Sequence, residues 1–228
     1  KRDVEGKMKA RADEFMNEYF SYLLKALNRQ AGARLAEVNK EVSQLRLIVD
    51  DRTKDEPLSA QDLQFAIHNW LSQDSIRNVT LVSPEAIPVI KTGGLGDVVG
   101  EYAQKLARVG VNVNVFLLGY SNIPLDGWSE TGVEFPMTIT SKGTGTYSFN
   151  VKVLEKVINN VRYLLLKDDG DYTQKIYSGD QLRQAQLLSE GSIIATKLMV
   201  QRGLMEKPDV MHGHDWQAGP LNLLLQTK

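Results

Sequence analysis

Lys91-Thr92-Gly93-Gly94-Leu95-Gly96-Asp97 stands between the apolar run Val79-Thr80-Leu81-Val82 and an amphipathic stretch over residues 98–109. The run has the length and β-branching of a short buried strand. The stretch after the loop repeats at helical spacing, with Val98, Tyr102, Leu106 and Val109 expected to face inward and Gly110 to stop the helix. Residues 111–118 follow as a second strand, almost all apolar, as a parallel sheet covered on both faces requires. Strand, loop, helix and strand make a right-handed βαβ unit. About 120 residues later a second junction of the same kind occurs. There Asp209-Val210-Met211 leads through His212-Gly213-His214-Asp215-Trp216-Gln217 into a helix over 218–225. In an open α/β sheet, ligands bind beyond the carboxyl ends of the strands. Both loops fall at that edge.

Between the two junctions, residues 135–140, 147–154 and 161–166 pattern as strands, with Gly143-Thr144-Gly145 as a hairpin turn. A long helix is expected over 181–202, ended by Gly203. Before residue 77 the texture differs. Residues 11–75 hold one glycine, Gly32, and one proline, Pro57. Helices are expected over 4–29 and 34–50, and a third from Pro57, with Ser59 as cap and Leu63, Ala66, Ile67, Trp70 and Leu71 on one side. Leu35, Val38, Val42, Leu45 and Val49 form a heptad stripe, which suits either a helical hairpin or self-association as a coiled coil. The fold class is therefore α/β, a Rossmann-like parallel sheet domain over 77–228 behind an α-helical extension over 1–76.

The composition excludes several classes. With 228 residues, 42% hydrophobic and 24% charged, there is enough chain for a sizeable core. A net charge of −1 speaks against a nucleic-acid surface. No apolar run reaches the length of a membrane span, and the charged start at 1–9 is unlike a signal peptide. With no cysteine there is neither disulfide nor thiolate chemistry. The expectation is a soluble protein with no membrane partner, in the cytoplasm, or in a plastid if the source is a plant or alga.

The loop chemistry leaves two alternatives. Gly93, Gly94 and Gly96 let backbone N–H groups approach an anion, the following helix points its positive end there, and Lys91 adds a charge. The same glycines would equally suit a tight turn needing positive φ. The pattern is neither a Walker loop nor a dinucleotide fingerprint. His212 and His214 are expected to point to opposite sides of their strand, leaving His214, at the lip, as the site candidate. Asp215 either orients that ring or caps the next helix, and Trp216 is expected to pack. His68, the third histidine, is expected to be structural. Without a third ligand no metal is expected.

Val82-Ser83-Pro84-Glu85-Ala86 followed by residues 91–100 resembles the opening of bacterial glycogen synthases and plant starch synthases. Residues 208–217 resemble the second signature of that family. The likeness covers roughly 78–228. It implies the N-terminal half of a two-Rossmann (GT-B) glycosyltransferase, one that moves glucose from a nucleotide sugar, by family habit ADP-glucose, to the non-reducing end of an α-1,4-glucan with retention. By the same resemblance Lys91, Gly93 and Gly94 lie against the donor diphosphate and glucose, and His214 contacts the transferred glucose. Asp180 and Arg183 match an Asp-x-x-Arg element, followed here by Gln184 where the family usually has an aromatic. Glu85 sits near the acceptor cleft, or simply caps a turn. His214, Lys91 and Asp180 are the catalytic candidates. Substrates and partners are the nucleotide sugar and the glucan, with no cofactor. The family's second domain, which supplies most of the nucleotide site, is not in these residues, so the chain by itself is expected to be inactive. The alternative is a non-catalytic glucan-binding or assembly module.

Overall fold

The computed structural model describes residues 43–44, 47–48, 59–71, 75–141, 145–170, 173–177 and 179–227. The helices expected over 4–29 and 34–50, and with them most of the heptad stripe, lie outside the described residues. The chain divides into two compact units, Lys1–Ser75 with Arg108–Gly110, and Ile76–Ala107 with Val111–Lys228.

In the first unit, helix α1 (Ala60–Leu71) starts where the sequence places it. The Ser59 hydroxyl accepts from the Asp62 amide at 3.2 Å and donates to the Asp62 carboxylate at 2.7 Å, which satisfies an otherwise orphaned first-turn donor. Ala66, Ile67 and Trp70 are buried, while His68 is exposed.

The second unit is built on six strands, β1 (Asn78–Val82), β2 (Asn112–Leu118), β3 (Ser129–Ser141), β4 (Gly145–Ile158), β5 (Val161–Asp168) and β6 (Val210–Gly213), in the order β3-β4-β5-β2-β1-β6. Helices α2 (Gly94–Arg108), α3 (Gln181–Gln201) and α4 (Pro220–Thr227) complete it. β5, β2, β1 and β6 run parallel, and β1 and β2 are buried along nearly their whole length, as their unbroken apolar runs require. β4 is antiparallel to both β3 and β5, so the sheet is mixed. The β3–β4 hairpin is the one expected around 143–145. The β4–β5 turn uses Asn159 and Asn160, both at positive φ (50° and 61°), the two-residue geometry that matches strand twist. At the other end of the sheet, the Asp209 carboxylate accepts from the Arg77 and Asn78 amides at 2.7 and 2.8 Å and sets the start of β6 beside β1.

The inward face of α2 differs from expectation. Val98 and Tyr102 are 60% and 39% exposed, whereas Gly96, Val99, Gly100, Ala103 and Ala107 are buried. Proximity explains the inversion, because this helix lies too near its neighbours for large side chains. A Cβ on Gly100 would stand 2.3 Å from Ile87 Cγ1 and 2.5 Å from the Ile87 carbonyl oxygen. Periodicity finds a helical face by size, and here the small residues form it. α3 spans the expected stretch and ends before Gly203 at φ +68°, while Asp180, expected as a catalytic candidate, caps its start.

Candidate functional site at the carboxyl edge

β1, β2 and β6 end side by side and pointing the same way, so the residues after each meet at one edge of the sheet. The His214 amide donates to the Val82 carbonyl at 2.9 Å, joining the second junction to the first. Glu85 is 1% exposed beneath the glycine loop. Its Oε2 accepts from the Thr92 amide (2.5 Å), the Thr92 hydroxyl (2.8 Å) and the Gly93 amide (3.1 Å), and its Oε1 accepts from the Tyr177 hydroxyl (3.1 Å). Burial pushes this carboxyl up, but the bonds from Thr92, Gly93 and Tyr177 outweigh it, so its pKa falls below the usual value of 4.5.

With Thr92 and Gly93 turned to Glu85, the N–H groups left for an external anion are those of the first turn of α2, which have no partner inside the helix. None of Gly93, Gly94 and Gly96 has positive φ, so the tight-turn account of these glycines fails. Gly96 is explained by packing, since its Cβ would meet Lys91 side-chain carbons at 3.2 Å. Nothing lies within 4 Å of a Cβ on Gly94, so its missing side chain serves no contact in the described protein. Lys91 Nζ is paired with Asp97, 2.6 Å and 2.8 Å from the two carboxylate oxygens, with both side chains nearly half exposed.

His212 and His214 do not diverge. His212 on β6 and His214 just past its end lie on the same side, their ring centroids 4.2 Å apart and their planes tilted by 33°, with Tyr102 lying edge-on to both. The Nε2 of His214 is buried and takes no hydrogen-bond partner among the described residues. Burial, and then the neighbouring His212, push its pKa down from 6.5 to about 4, so the ring is neutral at neutral pH. Between those two values the unfolded chain binds a proton that the folded one refuses. Stability therefore falls as pH drops from about 6.5 to about 4 and this contribution is flat below. Melting temperatures at pH 7 and pH 4.5 check this, with His214→Gln expected to show a smaller drop than the wild type. Asp215 caps the 3₁₀ turn at Trp216–Ala218, accepting from the Trp216 amide at 2.7 Å, with φ 64° and ψ 175°. That backbone is strained for any residue but glycine, and such strain gathers at functional sites. Trp216, expected to pack, is 47% exposed.

Asp180 and Arg183 are paired with each other. The Asp180 carboxylate accepts from the Arg183 amide at 3.1 Å and lies 3.3 Å from Nη2, while the guanidinium covers the Tyr147 ring at 3.8 Å. Glu85, Lys91, Gly93, Gly94 and His214 thus share one edge, and Tyr177, whose carbonyl accepts from Gln181 Nε2, ties the start of α3 to Glu85. Sequence reading missed Tyr177, because the stretch before Asp180 carries no motif. Among the described residues no three His, Cys, Asp or Glu are grouped to hold a metal ion.

An open α/β sheet whose carboxyl edge gathers a glycine loop, a helix N-terminus and a neutral histidine defines a Rossmann-like α/β domain, the class in which that edge is where ligands bind. Residues 78–228 match the family model described as starch synthase catalytic domain, and the chain belongs to that family. The likeness read from the two signatures is borne out. Glycogen synthase of Rhodospirillum rubrum is 33% identical over 155 residues, 62% of this chain and 30% of that protein. Glycogen synthase of Elusimicrobium minutum is 31% identical over 157 residues, 66% of this chain and 31% of that protein. The catalytic domain of starch synthase IV from Arabidopsis thaliana, bound to ADP and acarbose, shares the fold with a TM-score of 0.55 at 23% identity, over 66% of this chain and 30% of that one. The chain spans about 30% of the length of these relatives.

Proposed function

We propose that this chain contributes the first half of the active site of a retaining glucosyltransferase, which moves glucose from a nucleotide sugar to the non-reducing end of an α-1,4-glucan. Gly94 carries this proposal. Its open face at the N-terminus of α2, beside Lys91, is space that nothing in the described protein uses and that a diphosphate would fill. Family membership supplies the reaction class. ADP-glucose is the donor we favour, since the related starch synthase IV domain carries ADP.

In that reaction the bond from the anomeric carbon to the diphosphate breaks and a bond to the acceptor hydroxyl forms on the same face, the hydroxyl proton passing to the departing phosphate. Charge grows on the leaving oxygens. First-turn amides of α2 would meet that charge as they stand, and the Lys91 ammonium would join them on leaving Asp97. His214, neutral and with an unused buried nitrogen, would orient a sugar hydroxyl and exchange no proton.

Incorporation of radiolabelled glucose from ADP-glucose into glycogen, run on the full-length protein beside the 228-residue chain, tests the proposal, with UDP-glucose in parallel. Transfer by the full-length protein and none by the chain alone is the expected result. A full-length protein inert with both donors would overturn it.

A further inference from the structure

We propose that Tyr177 is a positioning residue of the glycine loop, holding the Thr92 and Gly93 amides in place through Glu85 and so tying the segment before α3 to the loop. The Glu85 carboxylate is buried and its two oxygens divide their work. Oε2 takes all three loop donors, and among the described residues the one hydrogen bond to Oε1 comes from Tyr177. Removing that hydroxyl leaves half of a buried anion without its donor, which loosens the carboxylate's hold on the loop. The raised pKa of Tyr177, about 12 through burial and the nearby Glu85 charge, keeps the hydroxyl protonated as a donor at neutral pH.

Tyr177 is itself held from two sides. Its carbonyl accepts from Gln181 Nε2 on α3 at 3.1 Å. The chain just before it is bonded to the loop after β2, where the Ser121 amide and hydroxyl donate to the Gln174 carbonyl at 3.2 and 2.5 Å. It also stands at φ +56°, a left-handed backbone that disfavours a bulky side chain. A tyrosine kept there at a conformational cost, with its hydroxyl on the anion that organises the loop, is strain of the kind that persists where a side chain must be aimed. No motif marks the residue.

The inference rests on reading the 91–97 loop as the part of the site that faces ligand. Amide hydrogen exchange on the 228-residue chain tests it without any assay of transfer. In Tyr177→Phe, exchange at Thr92 and Gly93 is expected to quicken roughly tenfold, the size of one lost hydrogen bond to a charged group. Val99 and Ala103 on α2 and Val115 on β2 are expected to keep their wild-type rates. Tyr177→Gly, which relieves the left-handed backbone but also lacks the hydroxyl, is expected to quicken the same two amides, and Glu85→Gln serves as the positive control. Wild-type rates at Thr92 and Gly93 in Tyr177→Phe, or a general acceleration that includes Val115, would overturn the inference. Activity separates it from the function proposed above. Transfer by the full-length protein with unchanged loop exchange in Tyr177→Phe removes this role and keeps the function. A full-length protein without transfer, with the loop exchange altered, removes the function and keeps the role.

Discussion

Gly100→Ala is expected to destabilise the α/β unit by about 3 kcal/mol, the sum of a backbone overlap and a lost buried hydrogen bond. The added methyl would fall 2.5 Å from the Ile87 carbonyl oxygen and 3.1 Å from its carbon, and backbone gives way less readily than a side-chain tip. That oxygen accepts from the hydroxyl of Tyr163, a fully buried residue, at 2.9 Å, and the Ile87 amide donates to the Gly96 carbonyl at 3.0 Å. Moving Ile87 aside therefore disturbs the start of α2 and leaves a buried phenol short of its acceptor. Urea unfolding followed by circular dichroism measures the loss. Gly94→Ala is the control, since its methyl meets nothing within 4 Å and the midpoint is expected to stay put. Equal losses at both positions would show that α2 does not sit as close to Ile87 as described.

Lys91→Ala in the full-length protein is expected to lower glucose transfer by about 100-fold, the scale seen when one preorganised donor to a developing negative charge is removed. Stability is expected to change little. The ion pair with Asp97 is nearly half exposed on both sides, and such pairs contribute weakly. The alanine also keeps the Cβ against which Gly96 packs. Steady-state rates with ADP-glucose, alongside a melting curve, separate the two effects. Transfer at the wild-type rate would remove Lys91 from the diphosphate site, and a collapsed melting curve would show that the pair is structural.

The order of strands and helices was legible because the two junctions declare themselves. An apolar run, a glycine loop and a helical stretch fit few arrangements other than β1, α2 and β2 of an open sheet. Which way side chains face was harder to read. On α2 the buried side is formed by glycines, alanines and Val99, and the closeness of Ile87 to Gly100 shows why small residues prevail. The histidines follow a simpler rule, since His212 on β6 and His214 just past its end lie on the same side, with their rings 4.2 Å apart. Asn159-Asn160 is a recognisable two-residue turn, and it accounts for the antiparallel β4 that makes the sheet mixed. Within the site, Lys91, Gly93, Gly94 and His214 stand out by spacing and chemistry. Tyr177 could not be found that way, because its role depends on a fold that brings residue 177 to residue 85.

β6 lies against β1 although 131 residues separate Asp209 from the Asn78 amide it holds. During synthesis the glycine loop, Glu85 and α2 leave the ribosome first, and His214 follows on the order of ten seconds later at ordinary rates of translation. For that interval β1 has β2 on one side and an unsealed flank on the other. This edge of the sheet is thus assembled in two instalments, with the glycine loop in place before the histidine beside it.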